Sequence, residues 1–198
     1  PYPARAAEVM AMYLDEFTAE ELRGYAEKAY GPAKFDTPAV APLVKVGERT
    51  HVLELWHGPT CAFKDMALQM LPYLLTASLR KTGETRTACI LVATSGDTGK
   101  AALEGFRDVP HTKILVFYPK DGVSDVQKLQ MVTQEGGNVG VCAVEGNFDD
   151  AQTGVKKIFS DPAVREAMNE RGCFFSSANS INWGRVLPQI AYYVSAYC

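Results

Sequence analysis

The chain has 198 residues, 47% of them hydrophobic and 22% charged, with a formal net charge of −3. That length and balance suit one globular domain, or two small ones, with a core of ordinary size. The mild acidity argues against a general nucleic-acid binder, which would carry a basic face, and no apolar run reaches the roughly 18 residues that span a membrane.

The opening PYPARAAEVM, without Met and without a signal peptide, suggests that the natural N-terminus lies upstream. Residues 4–30 have helical spacing, with Ala7, Met10, Leu14 and Phe17 on one face. Thr18 is placed to cap a second helix, which Gly31 and Pro32 end. Residues 31–42, rich in Pro and Ala, read as a connector. HVLELW (51–56) alternates and predicts a strand, and 64–80 predicts a helix bent at Pro72, where an internal hydrogen bond is missing.

From residue 88 strands and helices alternate. CILVAT (89–94), KILVFYP (113–119) and NVGVCAV (138–144) read as buried strands, with FFSSA (174–178) as a further short one. Helices are expected from Gly99 to Phe106, from Ser124 to about Glu135 with a Ser124–Gln127 capping box, from Asp149 to Phe159, and from near Ile181 onward. The pattern predicts an α/β fold with a parallel sheet and right-handed crossovers. The five cysteines are scattered, with no C-x-x-C, which disfavours a disulfide framework or a zinc site and favours a reducing cytoplasm. Cys89 and Cys142 fall in apolar runs and read as small hydrophobes.

Three stretches carry candidate chemistry. ILVATSGDTGKAALEGF (90–106) is a strand, a Gly-rich turn and a helix, so backbone N–H groups and the helix dipole converge on a place for an anion. It lacks G-x-G-x-x-G for a dinucleotide. It also lacks the glycine spacing of a P-loop, with two residues between Gly96 and Gly99 and Ala101 in place of Ser/Thr. A carboxylate- or phosphate-binding turn remains, beside the plainer alternative of a tight turn capped by Thr98 or Asp97. In HGPTCAFKDMALQM (57–70), Lys64 opens an apolar helix; loss of water and the helix N-terminus would both lower its pKa and leave a nucleophilic amine. The alternative is a surface lysine whose stem covers apolar residues. In SSANSINWGR (176–185), Asn179 and Ser180 can cap the last helix and Arg185 offers a planar fork for phosphate, unless it is simply solvated. EGNFDDAQ (145–152) resembles a further anion loop, but Asp149 and Asp150 already satisfy the dipole there, so capping is its expected role.

Taken in order, HGPTCAFKD, ATSGDTGKAALEGF, GVSDVQKLQM, GNFDDAQ and NSINWGR resemble threonine synthase of the bacterial and fungal branch, from about residue 50 to the C-terminus. That family belongs to the pyridoxal-phosphate enzymes of the tryptophan-synthase-β type, fold type II. The resemblance implies a small, mobile α/β domain (88–178) inserted in a larger domain formed by 1–87, by the return helix at 179–198 and by residues beyond this chain. It implies that Lys64 is the Schiff-base lysine for pyridoxal 5'-phosphate and the later proton carrier. Thr94, Ser95 and Gly96 would take the substrate α-carboxylate, and Asp97 would face the cofactor's phenolic oxygen, where many relatives have Asn. Thr98, Asn179, Ser180 and Arg185 would hold the substrate phosphate, with Lys128 assisting. His57 and Phe63 would shape the cofactor pocket.

The implied reaction is O-phosphohomoserine and water to L-threonine and phosphate, by γ-elimination and β-addition of water, in the cytoplasm. The implied partner is that small-molecule substrate, with no nucleic acid and no membrane, and monomer and homo-oligomer are both left open. The family's later Gly-Asn-Phe-Gly loop, which cradles the cofactor's phosphate, is not in this sequence, so the 198 residues read as an N-terminal to central fragment, inactive by itself. A dehydratase or cysteine-synthase-like relative would not need the Arg185 site. A nucleotide-binding module using the 94–99 turn is the reading from another class.

Overall fold

A computed structural model describes all 198 residues. Its core element is a four-stranded parallel sheet of β1 (Thr87–Ala93), β2 (Thr112–Pro119), β3 (Val139–Val144) and β4 (Cys173–Ser177), in the spatial order β3-β2-β1-β4. β1 is central, and its five middle residues are buried, as expected of a strand covered on both faces. β1 and β2 are joined by α1 (Asp97–Phe106), and β2 and β3 by α2 (Asp125–Val132). Between β3 and β4 run α3 (Phe148–Ser160) and α4 (Pro162–Glu170), the latter not anticipated from the sequence. Right-handed crossovers place α1 and α2 on one face and α3 and α4 on the other. Because the chain passes from β3 across β1 to reach β4, the strand order reverses between β1 and β4. Such a switch point opens a crevice at the carboxyl ends of the strands.

The anticipated helix ends shift for local reasons. The Ser124–Gln127 capping box starts α2, and Asn147 starts α3. The helical stretch at the N-terminus is two helices, as the Thr18 cap implied, α5 (Tyr2–Ala11) and α6 (Ala19–Ala29); α5 ends before Leu14 and Phe17, which pack on the core from a turn. Thr18 caps α6 with Glu21 in a full box. Of HVLELW only His51–Leu53 is a strand, β6, paired antiparallel to an unanticipated β5 (Leu43–Lys45). The helix expected over 64–80 is two helices, the single turn α7 (Asp65–Leu68) and α8 (Leu71–Thr82). Pro72 sits in the first turn of α8, where its missing N–H costs nothing, so it starts a helix and does not bend one. The final helix, α9 (Trp183–Tyr197), is capped by Asn182 and not by Asn179 or Ser180. Cys89 is buried, but Cys142 lies exposed on edge strand β3, because the apolar run there is covered incompletely.

Two apolar cores result. One joins α5, α6, α9 and residues Met66, Met70 and Leu74; the other lies between α1 and the sheet, with Leu68 and Leu71 reaching in. Segment 66–74 therefore feeds both cores. Full burial of such Leu or Met side chains contributes about 1.5–3 kcal/mol each. A Cβ on Gly105 would come within 2.1 Å of the Leu68 carbonyl oxygen, so only glycine lets α1 approach α7 this closely. That approach brings the segment carrying Lys64 to the sheet. No helix is long and apolar enough to cross a membrane.

Candidate active site

The turn leaving β1 is held from within. Thr94 is buried, and its Oγ1 accepts the N–H groups of Gly96 (3.0 Å) and Gly99 (2.9 Å) while donating to the Gly96 carbonyl (3.1 Å). The hydroxyl is thereby committed to the turn. Gly96 is the N-cap of α1, with φ of 146° and no side-chain cap. No protein acceptor takes the N–H of Ser95 or Thr98, so donors remain at the mouth of the helix. Ser95 and Asp97 are exposed there and Thr98 is half-buried. Asp97 Oδ1 accepts from Gln127 Nε2 at 2.8 Å.

β4 pairs with β1 up to Ser177 opposite Leu91, so the turn that follows β4 lies beside the Thr94 turn. Its backbone is fixed by Asn182, which donates to the Ser177 carbonyl and caps α9 through Gly184 N–H. Asn179 Oδ1 accepts from Ile181 N–H at 3.4 Å, and Ser180 is exposed with no hydrogen bond from its side chain. Arg185 is 7% exposed. It donates one hydrogen bond, from a terminal guanidinium nitrogen to the Ala178 carbonyl at 2.9 Å, and its Nε has no partner. No carboxylate pairs with it, and burial pushes its pKa down. A buried guanidinium without a counter-charge is costly, and an anion would relieve that cost.

Lys64 stands at the N-cap of α7, half-buried, its Nζ 4.3 Å from the centroid of the Phe63 ring. Its pKa is lowered, chiefly by burial. The Asp97 charge opposes this and the Arg185 charge reinforces it. Burial, more than the dipole of a one-turn helix, is thus the cause. Charges from α1 and α9 both act on the Lys64 amine. The loop before Lys64 is fastened by buried Asp65, which accepts from Thr60 N–H and Oγ1 at 2.8 Å each. His57 is bracketed by carboxylates, Asp36 at Nδ1 (2.6 Å) and Glu54 at Nε2 (2.8 Å), and so serves the loop. Lys128 is exposed on α2 with no ion pair. A cavity of about 670 Å³ lined by Lys34, Arg80, Glu104, Arg107 and His111 sits near the start of β2, remote from these groups.

Asn182 and Gln127, which hold the two turns, were not singled out as site residues from sequence. Asn182 could have been found from its place ahead of an apolar helical run, whereas the Gln127 contact joins residues 30 apart and has no local signal.

No family model matches the chain. Threonine synthase of Pseudomonas aeruginosa is 43% identical over 197 residues, which are 99% of this chain and 40% of that protein. The crystal structure of a PLP-bound threonine synthase from Brucella melitensis superposes with a TM-score of 0.87 at 40% identity, covering 99% of this chain and 40% of that one. The chain is homologous to threonine synthases along nearly its whole length. The yeast threonine synthase structure matches with a TM-score of 0.85 at 35% identity. The fold of the threonine synthases, a parallel sheet flanked by helices, is therefore the fold of this chain. The chain spans about 40% of the length of the threonine synthases it matches.

Proposed function

We propose that the protein carrying this chain is a threonine synthase, a PLP-dependent lyase that turns O-phosphohomoserine and water into L-threonine and phosphate. The observation that carries this is the pairing of a half-buried Lys64 amine with a buried, counter-charge-free Arg185 at the strand switch point. Threonine synthases at 36–43% identity support it.

The residues fit pyridoxal phosphate. Lys64 offers an amine whose charged form is disfavoured, the Phe63 ring lies beside it, and Asp97 stands opposite with Oδ1 already bonded. When bound, the cofactor supplies an electron sink for the α-carbon of an amino acid. Lys64 would hold the cofactor and then carry protons at Nζ. A lowered pKa favours the neutral amine that a base requires. The free N–H groups of Ser95 and Thr98 would take the substrate carboxylate, with Gly96, its own N–H held by Thr94, letting the ligand approach the backbone closely. Thr94 would serve by bracing that turn. Arg185, with Thr98, Asn179 and Ser180, would hold the substrate phosphate, and Lys128 would assist from α2. Residues 88–178 would form a mobile unit that closes on the larger body of 1–87 and 179–198 and excludes water. The protein would work in the cytoplasm.

The test compares phosphohomoserine with serine and threonine as substrates of the full-length protein and of Arg185→Ala. Turnover of phosphohomoserine alone, lost on substitution, is expected. Turnover of serine or threonine that ignores Arg185 would instead identify a β-eliminating or β-replacing enzyme.

A further inference from the structure

α2 contributes more to the site than a nearby lysine. Gln127 closes the capping box of that helix: its Oε1 accepts from Ser124 N–H (3.2 Å) and Ser124 Oγ (3.1 Å), and Ser124 Oγ accepts from Gln127 N–H (3.3 Å). Since a backbone N–H can only donate, the carboxamide oxygen must point to Ser124 and the NH2 must point away. That NH2 lies 2.8 Å from Asp97 Oδ1. The turn is shaped to admit it, because a Cβ on Gly96 would fall 2.4 Å from the Gln127 carboxamide.

We infer that Gln127 is a positioning residue: from α2 it fixes Oδ1 of Asp97 as a hydrogen-bond acceptor and leaves Oδ2 as the atom free for a ligand. The same bond ties the helix that holds Lys128 to the turn that holds the free N–H groups, so α2 and α1 present their groups in one fixed register. The assignment rests on the reading of Lys64 and Asp97 as one site.

The charged groups acting on Lys64 are Asp97 from α1 and Arg185 from α9. Lys64 thus reports where the Asp97 carboxylate sits. In full-length, cofactor-free protein, trace labelling with acetic anhydride across pH, read by mass spectrometry of the Lys64 peptide, gives the midpoint of that amine. Gln127→Ala frees Asp97 to swing into water, and the midpoint is expected to fall by roughly half a pH unit. Asp97→Asn should lower it at least as much, and adding Gln127→Ala to Asp97→Asn should do nothing further. Gln127→Glu keeps the acceptor for Ser124 and hence the helix cap, but puts a second carboxylate beside Asp97. By losing the NH2 that holds Oδ1 and repelling the carboxylate it too displaces Asp97, so its Lys64 midpoint should move in the Asp97 parent and by a different amount in the Asp97→Asn background; this variant serves if Gln127→Ala does not fold. An unmoved midpoint in both Gln127 variants, or equal shifts with and without the Asp97 carboxylate, would overturn the inference. These readouts need no cofactor and no turnover, so they stand apart from the test of the proposed reaction.

Discussion

α1 and α3 both begin just past the carboxyl end of a sheet strand, yet their first turns are built in opposite ways. α3 is closed. Asn147 accepts the N–H groups of Asp149 (2.8 Å) and Asp150 (3.1 Å), Asp150 accepts Asn147 N–H (2.8 Å), and two carboxylates meet the positive end of the dipole. α1 has a glycine where a cap would stand, and its brace, Thr94, binds from inside the turn. The closed start lies on edge strand β3 and the open one on central strand β1, beside the switch point, where the Asp97 charge acts on Lys64. Chemistry is thus expected where the sequence withholds a cap.

The largest effect belongs to the open turn. Gly96→Ala must adopt a φ near 146° and displaces Gln127, so it should cost about 1–3 kcal/mol of stability and reduce kcat/KM on the order of a hundred-fold or more. Urea unfolding and steady-state kinetics of the full-length protein check both. Next comes Arg185→Ala. Losing a charge-assisted contact to phosphate should lower kcat/KM for the phosphorylated substrate by about 2–3 kcal/mol, near a hundred-fold, as read from steady-state kinetics. At the closed turn, Asn147→Ala should cost about 1 kcal/mol in urea and leave kcat and KM untouched. A large kinetic effect there would remove the distinction between the two helix starts.

The smallest effect lies at the loop before Lys64. Glu54 first, and Asp36 second, hold the His57 pKa above its ordinary value. The folded state therefore binds that proton more tightly than the unfolded chain does. Its stabilisation is complete below about pH 6.5 and is lost as pH rises through the raised pKa. The groups are partly wet, so roughly a few tenths of a kcal/mol are involved. His57→Gln should be less stable than the parent at pH 6 and equal to it at pH 9, as read from urea midpoints.

Much of this was legible in the sequence. The β/α alternation after residue 88 follows from buried apolar runs separated by Gly-rich turns, and the Thr18 and Ser124 caps follow from local side-chain chemistry. The long helix expected over 64–80 failed because periodicity alone does not show where Pro72 lies within a turn. The cap of α9 fell to Asn182, the candidate that directly precedes the helix, and not to Asn179 or Ser180 further upstream. Lys64 and Arg185 could be named from their neighbours in sequence. The closeness of the two could not, since it depends on α7 packing directly on α9 and on α1 at the Gly105 contact, between residues far apart in sequence.

The most direct measurement is borohydride reduction of the full-length protein incubated with pyridoxal phosphate, followed by peptide mapping. A single pyridoxyl group on Lys64 is the predicted result. A pyridoxyl group on any other lysine, or none on a protein that still makes threonine, contradicts the account.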